Sequence, residues 1–144
     1  MRVLILGLVA FWAAAAACAQ SQDAIDDAKL WSSVGRLNIY GGGFCTATLV
    51  NETHILTAGH CLYDAKTGHP VDPSLMEFRA GWKHGRAEAY RKVRRAVPHP
   101  HFAFSGATGL QRVANDVALL ELESPINHPN ITPYRIAQMP PEGA

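Results

Sequence analysis

The sequence is poor in cysteine, has no excess of charge of either sign, and lacks the short motifs of common metal sites. It holds 3 cysteines in 144 residues, and 13 lysines and arginines nearly balance 12 aspartates and glutamates. This balance argues against a nucleic-acid partner, which usually requires a basic excess. Neither H-E-x-x-H nor a paired C-x-x-C occurs, so no metal site and no cofactor are predicted. The apolar fraction of 48% suits one globular domain rather than a disordered chain.

Long apolar runs are also absent, except at the N-terminus. The run from Leu4 to Ala17 follows Arg2 and leads into Ala17-Cys18-Ala19, which is the pattern of a secretory signal peptide with its cleavage site. We therefore expect residues 1–19 to be a signal peptide and the protein to be secreted or periplasmic. A membrane anchor is an alternative, but the run is shorter than the roughly 20 residues that span a bilayer. Lipidation at Cys18 is a second alternative, although the usual Leu three residues earlier is missing.

Export of the protein would affect the interpretation of its cysteines, because exported proteins fold in an oxidising compartment. If Cys18 leaves with the signal peptide, Cys45 and Cys61 remain, and two cysteines in an oxidising compartment are expected to form a disulfide. Two free thiols are the alternative. The bridge would close a loop of about 15 residues and contribute roughly 3 kcal/mol in the chain-entropy model.

The rest of the chain reads as a leader followed by many short strands. Residues 20–30 are polar and acidic and are expected to be a leader or short propeptide, with the folded part in residues 31–144. Apolar alternation and Gly/Pro-rich turns predict strands over residues 36–40, 44–50, 54–57, 76–81, 87–97 and 117–122. The first three should form a meander, residues 98–115 a long loop, and residues from 127 onward irregular structure. No long amphipathic helix follows the leader, so we predict an all-β barrel or sandwich.

Two segments contain residues suited to catalysis. The first is Leu56-Thr57-Ala58-Gly59-His60-Cys61, in which a disulfide at Cys61 would hold the backbone beside His60, as a general base requires. A lone His is otherwise an ordinary surface or core residue. The second is Asn115-Asp116-Val117-Ala118-Leu119-Leu120, with an acidic residue at the start of an apolar strand. Asp116 could accept a hydrogen bond from a His Nδ1–H and thereby select the tautomer, or it could simply cap a turn.

Taken in order, these segments resemble the trypsin-like serine peptidase family. A strand containing Cys45, then Thr57-Ala58-Gly59-His60-Cys61, then Asp116 at the head of an apolar strand match the family's motifs in sequence order. The resemblance implies a fold of two packed antiparallel β-barrels, of which residues 31–144 would form the N-terminal barrel. It also implies His60 as the general base and Asp116 as its orienting carboxylate, with a protein or peptide as substrate.

The sequence departs from the family pattern in two places. No serine after Asp116 stands in a Gly-(Asp/Ser)-Ser-Gly motif, and Ser124 only precedes Pro125 at the end of a strand. We therefore expect a fragment of a secreted serine endopeptidase that is inactive as given, with a second barrel in the full-length protein. A truncated, non-catalytic binding protein of one barrel is the alternative, and an unrelated exported β-domain anchored at Cys18 is a third interpretation. No Ile/Val-Val-Gly-Gly precedes the first strand, which makes the resemblance closer to bacterial secreted members.

Three further features have both an ordinary and a functional interpretation. His99 and His101 are close in sequence, but without a metal-binding motif they predict no metal site. A basic stretch is expected to be the solvated face of a strand, with a polyanion site as the alternative; it comprises Arg86, Arg91, Lys92, Arg94 and Arg95. Asn51-Glu52-Thr53 matches a glycosylation sequon, to which we assign no role in a bacterial-type protein.

Overall fold

The structure, a computed structural model, describes Lys29, residues 31–104 and residues 111–137. The chain divides into two compact units, Met1–Trp31 and Ser32–Ala144. In the first unit only Lys29 and Trp31 are described, and both are exposed. The predicted signal peptide (residues 1–19) and all of the predicted leader except Lys29 lie outside the described residues, so both stay predictions.

The described part of the second unit is built from six antiparallel strands. They follow one another around a closed barrel in the order β1-β2-β3-β6-β5-β4. Their bounds are β1 Val34–Ile39, β2 Gly43–Asn51, β3 His54–Thr57, β4 Met76–Ala80, β5 Ala89–Pro98 and β6 Ala118–Leu122. The described residues also include one short α-helix, α1 Gln111–Ala114, and 3-10 turns at Gly59–Leu62 and Pro73–Leu75. The predicted all-β antiparallel barrel is therefore confirmed.

The barrel core follows from strict alternation along the strands. In β1, buried Leu37 and Ile39 alternate with partly exposed Arg36 and Asn38, because successive side chains of a strand point to opposite faces. The fully buried residues include Leu37, Leu49, Ile55, Met76, Phe78 and Leu120. Burying each of these large apolar side chains contributes about 1.5–3 kcal/mol, and closure of the sheet leaves no unpaired edge strand.

Strand β1 approaches β4 closely where the barrel closes. A Cβ atom at Gly35 would lie 2.3 Å from the Arg79 carbonyl oxygen and 2.7 Å from the Phe78 ring. No side chain fits in that space, so the β1–β4 pairing requires glycine at this position.

One end of the barrel is covered by the chain that follows β6. Residues 123–137 contain no helix or strand, as predicted for residues from 127 onward. The segment contributes two buried side chains, those of Ile126 and Ile131. The Ile126 backbone N–H donates to the Glu52 carbonyl at 2.7 Å. Because Glu52 precedes the start of β3, this covered end is the one opposite the end of β3 at Thr57.

Most of the strand predictions are confirmed, and one loop prediction is wrong. The third strand coincides with the predicted residues 54–57, and the β1–β2 and β2–β3 pairings confirm the meander. The predicted loop over residues 98–115 instead begins with Pro98 still paired in β5 and contains α1. Pro98 is tolerated because it is the last residue of its strand. The helix is a single turn, too short for a helical period to appear in the sequence.

Within the described ranges, no helix has both the length and the apolar character needed to cross a membrane.

Candidate active site

His60 lies in the 3-10 turn that follows β3 almost directly. Thr57, the last residue of β3, is buried, and its hydroxyl donates to the Thr46 carbonyl on β2 at 2.7 Å. The turn that follows is closed by hydrogen bonds from the Cys61 N–H to the Ala58 carbonyl and from the Tyr63 N–H to the His60 carbonyl. His60 is thus held on a short, hydrogen-bonded turn rather than on a long loop.

A disulfide fastens the same turn to β2. Cys45 and Cys61 are bonded, with their Cα atoms 6.3 Å apart, which confirms the predicted pairing. Because Cys61 directly follows His60, the bridge restrains the backbone of the histidine against the neighbouring strand.

Phe102 packs on the other side of the turn. A Cβ atom at Gly59 would lie 3.0 Å from the Phe102 ring. The Phe102 ring is in turn 5.8 Å from the ring of Tyr63, and Tyr63 stacks on Phe104 at 4.9 Å. The aromatic residues therefore form a wall beside His60.

Strand pairing brings Asp116 to His60. Thr57 at the end of β3 pairs with Ala118 at the start of β6, so residues just beyond these two strand ends become neighbours. The Asp116 Oδ2 atom lies 2.7 Å from Nδ1 of His60, and the His60 backbone N–H donates to Asp116 Oδ1 at 2.8 Å. The structure thus joins the two residues that the sequence singled out.

The charge state of Asp116 follows from its surroundings. Partial burial raises the pKa of this carboxyl, but hydrogen bonds from the ring and the backbone of His60 outweigh it, and the net pKa is lowered. An ionised carboxylate at Nδ1 requires the ring proton to be on Nδ1, so Nε2 presents a free lone pair. The His60 side chain is 55% exposed and that of Asp116 only 18%. The arrangement can therefore accept a proton from a group that approaches from solvent.

A small cavity adjoins the pair. Its volume is about 140 Å³. It is lined by His60, Phe102, Ala103, Phe104, Val113 and Asp116. The walls are mostly apolar, and their polar groups are the Asp116 carboxylate and the His60 ring. This composition is typical of a site that receives a substrate group. Sequence reasoning missed Phe104 and Val113, because they lie in the segment taken as a featureless loop.

One group of potential metal ligands occurs among the described residues, and it overlaps the site. Ligand atoms of Cys45, His60 and Cys61 lie within 4.8 Å of one another. The two sulfur atoms are bonded to each other, however, and a disulfide offers no thiolate to a metal ion. His99 and His101 have ring centroids 5.7 Å apart, and among the described residues no third potential ligand lies beside them.

Two other sequence features, part of the basic stretch and the Asn51 sequon, have the following surroundings. Glu121 bonds Arg94 and lies 3.7 Å from Arg95, and the Arg94 contact is the main reason why the pKa of Glu121 is lowered. These two residues of the basic stretch therefore have an acidic partner, as expected for a solvated strand face. Asn51, the last residue of β2, is exposed, and its Oδ1 accepts from the Thr53 N–H at 2.9 Å.

The fold and the pair together define a class of protein: a closed antiparallel barrel with a hydrogen-bonded histidine–aspartate pair at one end. Comparison with known proteins specifies this class further. The family model described as Trypsin matches residues 26–144. The chain therefore belongs to the trypsin family of serine peptidases.

Several curated proteins are similar to this chain. A trypsin of Phaedon cochleariae is 29% identical over 85 residues, which are 58% of this chain and 29% of that protein. The snake venom serine protease Haly-2 of Gloydius brevicauda is 30% identical over 106 residues, or 73% of this chain and 37% of its own length. The snake venom serine protease KN11 of Trimeresurus stejnegeri is 28% identical over 105 residues, or 72% and 37%. The chain thus spans between 29% and 37% of the length of these relatives.

Proposed function

We propose that this chain is the first barrel of a secreted serine endopeptidase, with His60 as its general base and Asp116 as the group that orients His60. The nucleophilic serine and the oxyanion hole would come from a second barrel of the full-length protein. The observation that carries the proposal is the double hydrogen bond between one carboxylate and the ring and backbone of one histidine. Membership of the trypsin family and the disulfide beside His60 support it, and the disulfide suits an oxidising, exported location.

The chemistry of these residues follows from the tautomer. The free Nε2 of His60 takes the hydroxyl proton of a serine as that oxygen bonds to the peptide carbonyl carbon. The imidazolium that results is stabilised by the ionised Asp116 at Nδ1. Nε2 then gives the proton to the leaving amine, and the carbon–nitrogen bond breaks to leave an acyl-enzyme. A water attacks this ester with the same histidine acting again as base.

An exposed apolar row supports a second barrel. Leu56 pairs with Leu119 across β3 and β6, and Leu119 pairs with Val97 across β6 and β5. Their exposures are 37%, 42% and 48%, so three large apolar side chains lie side by side on the outer face. Contiguous apolar surface of this kind commonly marks an interface, and we propose that the second barrel packs there.

The proposal is tested on the protein expressed from its complete coding sequence. Hydrolysis of a denatured protein substrate should be lost in His60→Ala and reduced about 10⁴-fold in kcat for Asp116→Asn, because the amide favours the wrong tautomer. His69→Ala, an exposed histidine outside the site, is the matched control and should retain activity. Covalent labelling by a serine-directed fluorophosphonate should also depend on His60. Full activity of the His60→Ala variant would contradict the proposal.

A second candidate is a one-barrel binding protein without catalysis. It is favoured by the closed barrel, which buries its own core without help from another domain. This candidate requires that the complete protein hydrolyse no protein substrate and that the chain alone unfold cooperatively as a monomer. Calorimetry combined with sedimentation distinguishes it from the peptidase.

A further inference from the structure

Two arginines face each other on the outer surface of the barrel. Arg36 on β1 and Arg79 on β4 are direct partners in the strand register. Like charges placed opposite each other across a sheet are destabilising. Two positive charges are therefore concentrated at this point of the barrel surface.

Among the described residues, only Arg79 of these two arginines has an acidic partner. The Arg79 Nε atom donates to Glu77 Oε1 at 2.7 Å, and this bond is the main reason why the pKa of Arg79 is raised. The Nε atom of Arg36, by contrast, is buried and has no hydrogen-bond partner among the described residues. A buried N–H left unpaired costs about 1–3 kcal/mol. The presence of Arg36 at this position therefore lowers the free energy of unfolding.

Aromatic rings hold the Arg36 guanidinium in place. Its central carbon lies 3.9 Å from the ring centroid of Phe44 and 5.4 Å from that of Trp82. Trp82 is also 5.4 Å from the Arg79 guanidinium, which lies 5.8 Å from the Tyr90 ring. Stacking of this kind restrains the planar side chain. We call these five residues the Arg36 cluster: Arg36, Phe44, Arg79, Trp82 and Tyr90.

Two of the three rings of the cluster, those of Phe44 and Tyr90, are exposed. Phe44 is 63% and Tyr90 is 46% accessible to solvent. Large exposed aromatic side chains beside a fixed cation provide apolar contact area next to a charge. Tyrosine, tryptophan and arginine are the residues that most often dominate the energy of protein interfaces.

We propose that the Arg36 cluster binds an acidic segment of a polypeptide, with an Asp or Glu carboxylate on the Arg36 guanidinium and neighbouring apolar side chains on Phe44 and Tyr90. The guanidinium suits a carboxylate because its planar donors match the two oxygens. The exposed rings favour a polypeptide over a small anion, because only a polypeptide brings apolar side chains together with the charge. Binding involves neither His60 nor a serine, so it stands apart from the proposed peptidase activity.

The test measures peptide binding to the purified protein carrying His60→Ala, which removes any cleavage. A fluorescently labelled peptide of alternating Glu and Leu is titrated by anisotropy, and its Lys-for-Glu counterpart serves as the control peptide. We expect saturable binding of the acidic peptide only, with a change in Trp82 emission that Trp82→Phe abolishes. Arg36→Gln should weaken binding about tenfold or more, as expected for loss of a charged hydrogen bond.

Matched variants decide the outcome. Lys66→Gln removes the same charge from an exposed turn outside the Arg36 cluster and should leave the affinity within about twofold, because the charge of a solvent-exposed side chain is largely screened by salt. Equal losses in Arg36→Gln and Lys66→Gln, or no loss in Arg36→Gln, would overturn the proposal. So would Arg36-dependent binding of inorganic phosphate or of an oligonucleotide without binding of the acidic peptide.

The stability of an Arg36 variant shows whether Arg36 has a binding role or a structural role. Arg36→Met keeps the aliphatic packing but removes the unpaired N–H and the charge opposite Arg79. If Arg36 is a binding residue, the Arg36→Met variant should be at least as stable as the wild type and should no longer bind the peptide. A marked loss of stability in Arg36→Met would identify Arg36 as structural and count against the proposal.

Discussion

Asp116 contacts His60 twice, with one carboxylate oxygen on the ring Nδ1 and the other on the backbone N–H of the same residue. The two residues are 56 positions apart in the chain. The first contact selects the tautomer of the ring, and the second fixes the carboxylate relative to the turn that carries the ring. A single side chain therefore sets both the tautomer and the position of the His60 ring.

The Asp116 contacts should make stability depend on pH in the acid range. The pKa of Asp116 is lowered in the folded state, whereas an unfolded Asp titrates near pH 3.9. Its stabilising contribution is therefore complete above about pH 4 and is lost as the pH falls through the lower, folded value. Urea unfolding should show Asp116→Asn to be less stable than wild type near neutral pH, with the difference shrinking below about pH 4.

A control separates this effect from that of net charge. Glu123→Gln removes a charge of the same sign from an exposed position and reports the effect of net charge alone. A stability difference for Asp116→Asn that is independent of pH would show that the carboxylate charge is not what stabilises the turn.

Removal of the disulfide should loosen the turn that holds His60. The Cys45→Ala/Cys61→Ala double variant should lose about 2–4 kcal/mol of unfolding free energy, because the open chain gains entropy when unfolded. Thermal melting in the presence and absence of a reducing agent measures this loss. The reducing agent should lower the melting temperature of the wild type but not that of the double variant; a wild type insensitive to reduction would contradict the prediction.

Gly35→Ala should be strongly destabilising, because the new methyl group meets backbone atoms of β4. Such overpacking costs about 1–3 kcal/mol and occasionally more, and backbone cannot move aside as a side chain does. Gly41→Ala is the comparison, since its Cβ would meet open space while the backbone φ is +85°. The strain of that conformation alone costs about 1–2 kcal/mol. Equal urea midpoints for wild type and Gly35→Ala would show that β1 and β4 can separate without cost.

The exposed apolar row should make the chain self-associate. Sedimentation of residues 20–144 at increasing concentration should show a rising mean mass, since an exposed row of Leu56, Val97 and Leu119 favours association. Leu119→Glu should shift the population toward the monomer. Leu75→Glu, which replaces an equally exposed leucine on a 3-10 turn, should leave association unchanged. A monomeric wild type at all concentrations would argue that this row is not an interface.

Strand β3 shows why much of the fold could be predicted. Residues 54–57 include the β-branched Ile55 and Thr57 and follow the predicted turn at Asn51-Glu52, and the structure has a strand over the same residues. Alternation is a local property of the chain, and the same pattern that defines a strand also defines its buried face. Helix α1 could not be predicted, because a single turn leaves no periodic pattern.

The Arg36 cluster illustrates the opposite case. Alternation places Arg36 on the outer face of β1, yet nothing in the sequence relates it to Trp82 or to Arg79. Their proximity depends on the β1–β4 register, which forms only when the first and fourth strands close the barrel. Such a contact between distant segments has no local sequence pattern.

The sequence by itself predicted the strands, the pairing of Cys45 with Cys61, and His60 and Asp116 as candidate site residues, because each depends on local pattern, cysteine number or motif. Tertiary structure decided the closure of the barrel, the double contact between Asp116 and His60, the aromatic wall beside them and the burial of the Arg36 Nε atom without a hydrogen-bond partner among the described residues. These features depend on strand register and side-chain packing, and both arise only when segments far apart in the chain exclude water together.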